Sequence, residues 1–128
     1  MKFREFLTTS GTQVFLGRNA ENNDELVQKF KGEENIIMHT AEPGSPFCVI
    51  NNLTPSKRDV EQAAVFCASK SQDWRDNKAD VIVHRFSGKD VEKKRSMETG
   101  TWRIKKTPTK IKIKRKDIEE FLKNAEKS

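Results

Sequence analysis

The sequence predicts an α+β domain, a mostly antiparallel sheet packed with two or three helices. Short runs of alternating apolar residues recur between Gly, Pro, Asn and Ser clusters, as strands joined by turns require. Separate segments carry helix-start residues followed by apolar positions three and four apart. At 128 residues the chain reads as one domain, residues 1–128, large enough for a core and too small for two.

"KFREFLT" and "TQVFLG" flank Ser10-Gly11 and read as a β-hairpin. In "GRNAENND", Asn23 suits an N-cap, and Leu26, Val27 and Phe30 follow at helical spacing. A short helix is expected over 24–31, closed by Lys31-Gly32. "NIIMHT" and "FCVIN" read as strands joined by a tight loop. Pro55 and Ser56 announce a second helix, with a capping box from Ser56 to Asp59. Its stripe of Val60, Ala64, Cys67 and Ser71, beside Ala63, Phe66 and Ala68, is small enough to lie close to a sheet. "SQDWRDNKAD" is expected as a loop with Trp74 as its anchor, and "VIVHRF" as a strand. "KDVEKKRSMET" reads as a charged connection, partly helical. "GTWRIK" and "TKIKIKR" read as two strands of a hairpin over about 100–115. A final helix over about 116–126, capped by Asp117, carries the apolar stripe Ile118, Phe121, Leu122 and Ala125.

Composition narrows the function. Eight Phe and two Trp supply a core despite 34% charged residues, which argues against disorder. No apolar run approaches the length of a membrane span, and the N-terminus does not read as a secretory signal. Cys48 and Cys67 sit in apolar contexts without a CxxC pair and read as reduced core thiols, so a cytoplasmic location is expected. The net charge of +6 is uneven. Residues 1–88 hold 11 Lys+Arg against 12 Asp+Glu, whereas 89–128 hold 14 against 7. Such asymmetry points to an anionic partner, a nucleic acid or an anionic surface.

From Arg103 to Lys116 there are eight basic residues and no acidic one. In the expected hairpin, Trp102, Ile104, Ile111 and Ile113 turn to the core. Arg103, Lys105, Lys110, Lys112 and Lys114 then share the opposite face. Edge protection explains one or two lysines, not a row; a polyanion tracked by its phosphates explains the row. Around the first helix start, Arg18, Asn19, Asn22 and Asn23 admit two readings: an anion site, or ordinary turn and cap chemistry.

The loop "HTAEPGSP" collects His39, Glu42 and Ser45, a base, an acid and a hydroxyl. A serine hydrolase would need a nucleophile elbow, which is absent, and Pro46 removes the backbone N–H after Ser45. The two histidines are far apart in sequence and no carboxylate cluster accompanies them, so no catalytic residue, metal or cofactor is expected. Gly44 and Ser45 instead suit a phosphate contact.

The blocks "GRNAENND", "NIIMHT" with "PGSPFCVI", "VEQAAVFCAS" and "KDVEKK" before "GTW" resemble, in order and spacing, the NFACT-R domain. That domain belongs to ribosome quality-control factors of the RqcH and NEMF type. The resemblance runs from about Phe3 to Ile113. It differs where Pro46 replaces a histidine and where "EKKRSMETG" lacks the family's proline. The resemblance implies a non-catalytic module that binds tRNA or rRNA, with the large ribosomal subunit as a further partner. It also implies a stand-alone domain without the tailing activity of the full-length factors. Under it, Arg18, Asn19, Asn22, Asn23, His39, Gly44, Ser45 and Lys89 join the lysine row as candidate RNA contacts. A protein-interaction or anionic-surface adaptor is the alternative, and a hydrolase using His39 and Ser45 a more distant one.

Overall fold

The computed structural model describes residues 2–127. One antiparallel sheet holds six strands: β1 (Arg4–Leu7), β2 (Gln13–Leu16), β3 (Ile36–Thr40), β4 (Cys48–Ile50), β5 (Val81–Ser87) and β8 (Thr109–Ile113). Their spatial order is β1-β2-β4-β3-β5-β8. A separate ribbon pairs β6 (Val91–Glu92) with β7 (Arg103–Ile104). The helices are α1 (Ala20–Phe30), α2 (Lys57–Ser69), α3 (Gln72–Asn77) and α4 (Arg115–Lys127). The fold is α+β, as the sequence predicts.

Alternation along the strands sorts the core into two layers. On one face, Val14, Leu16, Met38, Cys48, Ile50, Val81 and Val83 meet the small-residue stripe of α2, Trp74 of α3 and Ile118 of α4. Phe6, Phe66 and Phe121 gather there with ring centroids 5.0 to 6.0 Å apart, tying β1, α2 and α4 together. On the other face, Phe15, Ile37, Val49 and Phe86 meet Leu26, Val27 and Phe30 of α1, together with Val91 and Trp102 of the ribbon. Both cysteines are buried free thiols in the first layer.

Local chemistry moves several boundaries. Helix α1 begins at Ala20, not residue 24, because Asn19 is its cap: its Oδ1 accepts from Asn22 N at 2.8 Å. Asn22 Oδ1 reaches back to Arg18 N at 2.9 Å. These bonds bury Asn22 and Asn23 inside the first turn. The segment expected as a loop around Trp74 is the short helix α3. Ser71 caps it, accepting from Trp74 N at 3.1 Å while donating to Ala68 O at 2.7 Å, and the Trp74 ring fixes it in the core. Helix α4 starts at Arg115, ahead of Asp117, and Asp80 Oδ1 accepts from Arg115 N at 2.8 Å.

The expected basic hairpin does not form. Strand β7 pairs with β6, and β8 pairs with β5. Trp102 and Ile104 pack in the second layer, whereas Ile111 and Ile113 pack in the first. Alternation correctly gives each strand an apolar and a basic side, but it does not say which strand is the neighbour. Arg103 and Lys105 therefore share no sheet face with Lys110, Lys112 and Lys114.

The capping box of α2 carries a further load. Asp59 accepts from Ser10 Oγ at 2.7 Å, Thr8 Oγ1 at 2.8 Å, Thr12 Oγ1 at 3.0 Å and Ser56 N at 3.1 Å. It clasps the β1–β2 turn to the start of α2. The hydroxyl donors, Ser10 foremost and then Thr8, hold its carboxyl well below the usual carboxylate range. A depressed carboxyl contributes stability that is present above its unfolded value of about 4 and is lost as pH falls below it. We expect the unfolding free energy to drop between about pH 4 and pH 2, and Asp59→Asn to take up about one proton fewer on unfolding in that range. Denaturant titrations at stepped pH that gave the two proteins the same acid slope would contradict this.

Candidate nucleic-acid interface

At one end of the sheet a cleft of about 660 Å³ opens onto the second face. The β3–β4 loop with Gly44 and Ser45 forms one wall. The approach to α1, from Gly17 to Ala20, forms another, and Thr99 to Trp102 a third. His39, His84, Phe47 and Phe86 supply rings to the lining.

Four cations line the cleft, Arg4, Arg18, Lys70 and Arg75, and among the described residues no Asp or Glu does. They come from β1, the approach to α1 and the α2–α3 junction. Arg75 is braced by Lys70 O at 3.1 Å and Gln72 Oε1 at 2.9 Å. Among the described residues, none of the ion pairs involves these four. Four like charges facing one space without a counter-charge repel one another in the empty protein, and an anion relieves that repulsion.

The floor holds His39 and His84, and the same-face row they begin runs on to β8 outside the cleft. His39 lies opposite His84, and His84 opposite Lys110, with Ile82 opposite Lys112 one step along. Opposite residues share a face. His39 stacks on Phe47 with centroids 4.6 Å apart at 33°. Burial lowers its pKa from the ordinary histidine value, and neighbouring His84 adds to that. Burial also lowers that of His84, assisted by the Lys110 charge. Both imidazoles are thus neutral, flat rings at neutral pH.

Backbone contacts fix the walls. A Cβ on Gly17 would stand 1.8 Å from Asn23 Oδ1, so only glycine lets the chain pass there. That oxygen accepts from Phe47 N at 3.1 Å. Asp24 Oδ1 accepts from Trp102 Nε1 at 2.9 Å, Gly100 N at 3.0 Å and Lys93 Nζ at 3.3 Å. Gly100, at φ +87, passes over Ala20, where a Cβ would lie 2.8 Å from the alanine's own.

Of the residues singled out from sequence, Arg18, Asn19, Asn23, His39, Gly44 and Ser45 meet in this cleft. Their parts differ. Ser45 is buried, its hydroxyl accepting from Thr40 N at 2.9 Å and donating to Pro46 O at 3.4 Å. It shapes the loop and is not paired with His39 as a nucleophile would be. Asn22 and Asn23 are likewise structural, their oxygens committed to Arg18 N and Phe47 N. Lys89 lies outside the cleft, bound to Glu34 at 2.9 Å. Arg103 pairs with Glu92 at 3.5 Å on the ribbon, and Lys105 follows it. Lys110 and Lys112 continue the row outward along β8, with Lys112 3.7 Å from Asp80, and Lys114 follows just past the strand's end. Sequence reasoning missed Arg4, Lys70, Arg75, His84 and Trp102. Arg4 was within reach, since the hairpin sets it opposite Leu16, next to Gly17. Lys70 and Arg75 reach the cleft only through the packing of α2 and α3.

The cleft and its row thus join four cations, two imidazoles and the exposed lysines of β8. The family model described as NFACT protein RNA binding domain matches residues 2–106. The chain belongs to that family and is an RNA-binding domain. Among solved structures it is similar to the C-terminal of the fibronectin/fibrinogen-binding protein from Streptococcus suis, with a TM-score of 0.80 and 23% identity. The match covers 94% of this chain and 49% of that one, so the chain spans about half its length; at this identity the likeness is one of fold. No curated protein matches the sequence. No helix among the described residues is long and apolar enough to cross a membrane.

Two substitutions test the construction of the walls. Gly17→Ala is expected to cost about 1–3 kcal/mol, the range for forcing atoms into a packed site, with loss of exchange protection at the Phe47 amide. Asp24→Ala is expected to raise amide exchange at Gly100 by about tenfold, corresponding to the loss of one bond to a charged acceptor, while β3 and β5 keep their protection. Unchanged exchange at both amides would show that these bonds do not hold the walls.

Proposed function

We propose that this domain binds tRNA or rRNA as a non-catalytic module of ribosome-associated quality control, acting on the large ribosomal subunit in the cytoplasm. The observation that carries the binding reading is the cleft with four cations and, among the described residues, no carboxylate, continuous through His84 with Lys110 and Lys112. Family membership supports RNA as the polyanion, and the resemblance to the quality-control factors supplies the ribosomal setting. A catalytic role finds no support in the geometry, since the Ser45 hydroxyl is turned into its own loop.

In this reading Arg18 and Lys70 hold phosphate within the cleft, and Lys110, Lys112 and Lys114 carry the backbone beyond it. Asn19 keeps its place at the rim as the cap that presents Arg18. Arg103, Lys105 and Lys89 contribute to the general positive field and make no shaped contact. Titrating tRNA against the domain at several salt concentrations should give log K falling linearly with log salt, with a slope of about −0.7 to −0.9 per phosphate neutralised. Arg18→Ala with Lys70→Ala should weaken binding by about tenfold or more, roughly the loss of one to two charge-assisted bonds. Lys110→Ala, Lys112→Ala and Lys114→Ala together should reduce the slope by about 2–3. Absence of tRNA binding at low salt would defeat the reading, as would preferential capture of anionic vesicles.

A further inference from the structure

We infer that the RNA segment seated in the cleft is unpaired, entering by its phosphates and laying its bases across His39 and His84. This rests on the RNA-binding reading above and goes beyond it by naming the form of RNA. Three observations lead there.

The first is shape. The cleft is concave and of about 660 Å³, the scale of a small-molecule site. A phosphate or a nucleotide fits such a space. An A-form helix presents a broad convex surface that rests on a rim, and its bases stay closed within the stack.

The second is chemistry. Arg4, Arg18, Lys70 and Arg75 reach one space from separate elements. That arrangement surrounds a phosphate, whereas duplex tracking calls for cations spread along a line. Beside them lie two neutral rings at strand spacing, His39 already backed by Phe47. A π-face next to a cation is the combination that holds an unpaired base with its phosphate. In a duplex, base faces are not available to such rings.

The third is continuity. The row His39, His84, Lys110 crosses β3, β5 and β8, a distance of roughly 10 Å at the usual strand spacing. His39 and His84 are partly exposed, and Lys110 and Lys112 are exposed. A strand leaving the cleft over the imidazoles therefore meets lysines on the same face, at the outer strand of the sheet.

The test compares an oligouridine of about twelve nucleotides, within the usual range of single-strand site sizes, with a blunt duplex of the same length at the same low salt. The single strand is expected to bind at least about tenfold more tightly. His39→Ala with His84→Ala should bring the two affinities within about threefold, because stacking is lost while phosphate attraction remains. Lys110→Ala should weaken the single strand without abolishing its preference. If the double variant unfolds, the imidazole proton signals of the unaltered chain serve instead: they should shift with oligouridine and stay in place with duplex. Equal or tighter duplex binding, or imidazole signals that ignore the oligouridine, would overturn the inference while leaving RNA binding intact. Failure of both RNAs to bind would instead strike the RNA-binding reading itself.

Discussion

The cleft end of this domain depends on how Phe47 is clasped. Its N–H donates to Asn23 Oδ1, and its carbonyl accepts from Gly17 N at 3.1 Å. Asn23 sits where any side chain on Gly17 would stand. The approach to α1 and the start of β4 are thereby fixed together. Leaving the buried Phe47 N–H without a partner would cost about 1–3 kcal/mol. The ring so placed supports His39 and meets Phe86 edge-on at 6.4 Å. Two walls and the floor of the cleft follow from one pair of hydrogen bonds.

Charge is distributed differently in space than along the chain. The last third holds the positive excess, yet carboxylates engage several of its cations: Glu92 meets Arg103, Asp90 meets Lys106, Asp80 meets Lys112 and Glu119 meets Arg115. Exposed pairs of this kind add little stability, but they trim the local field. The cleft cations come instead from the first 88 residues, which are nearly neutral in sum. A protein can thus place an electropositive cavity where a running charge balance shows nothing, by folding its acids away from it.

Much of the fold was legible because it rests on local rules. The hairpin, the Ser56–Asp59 capping box, the small-residue face of α2 and the alternation of β5 and β8 all follow from neighbours in sequence. Tertiary competition decided the rest. Asn23 is a good cap by composition, but Phe47 N claims its oxygen, so Asn19 caps α1. "SQDWRDNKAD" looks like a loop until the buried Trp74 gives it a reason to coil. The two halves of the basic segment read as a hairpin, because nothing in a strand's period names its partner; packing of Trp102 under α1 sent one half to the opposite layer. The cleft was glimpsed through Arg18, Asn19, His39 and Gly44, while Lys70, Arg75 and His84 required the assembled sheet.

The Asp59 clasp also bears on the order in which the chain settles. Its donors lie at positions 8, 10 and 12, some fifty residues before the acceptor. A nascent chain emerges N-terminus first, so the first hairpin leaves the exit path with its turn hydroxyls unclaimed. It cannot be locked until the head of α2 arrives. Strand β2 waits as well for β4, and β5 waits for β8 at the far edge. Contacts this distant slow the search for the native pairing. The turn at Gly11 is therefore made early and secured late, and the interval between the two is set by synthesis of the segment that carries two of the cleft's walls.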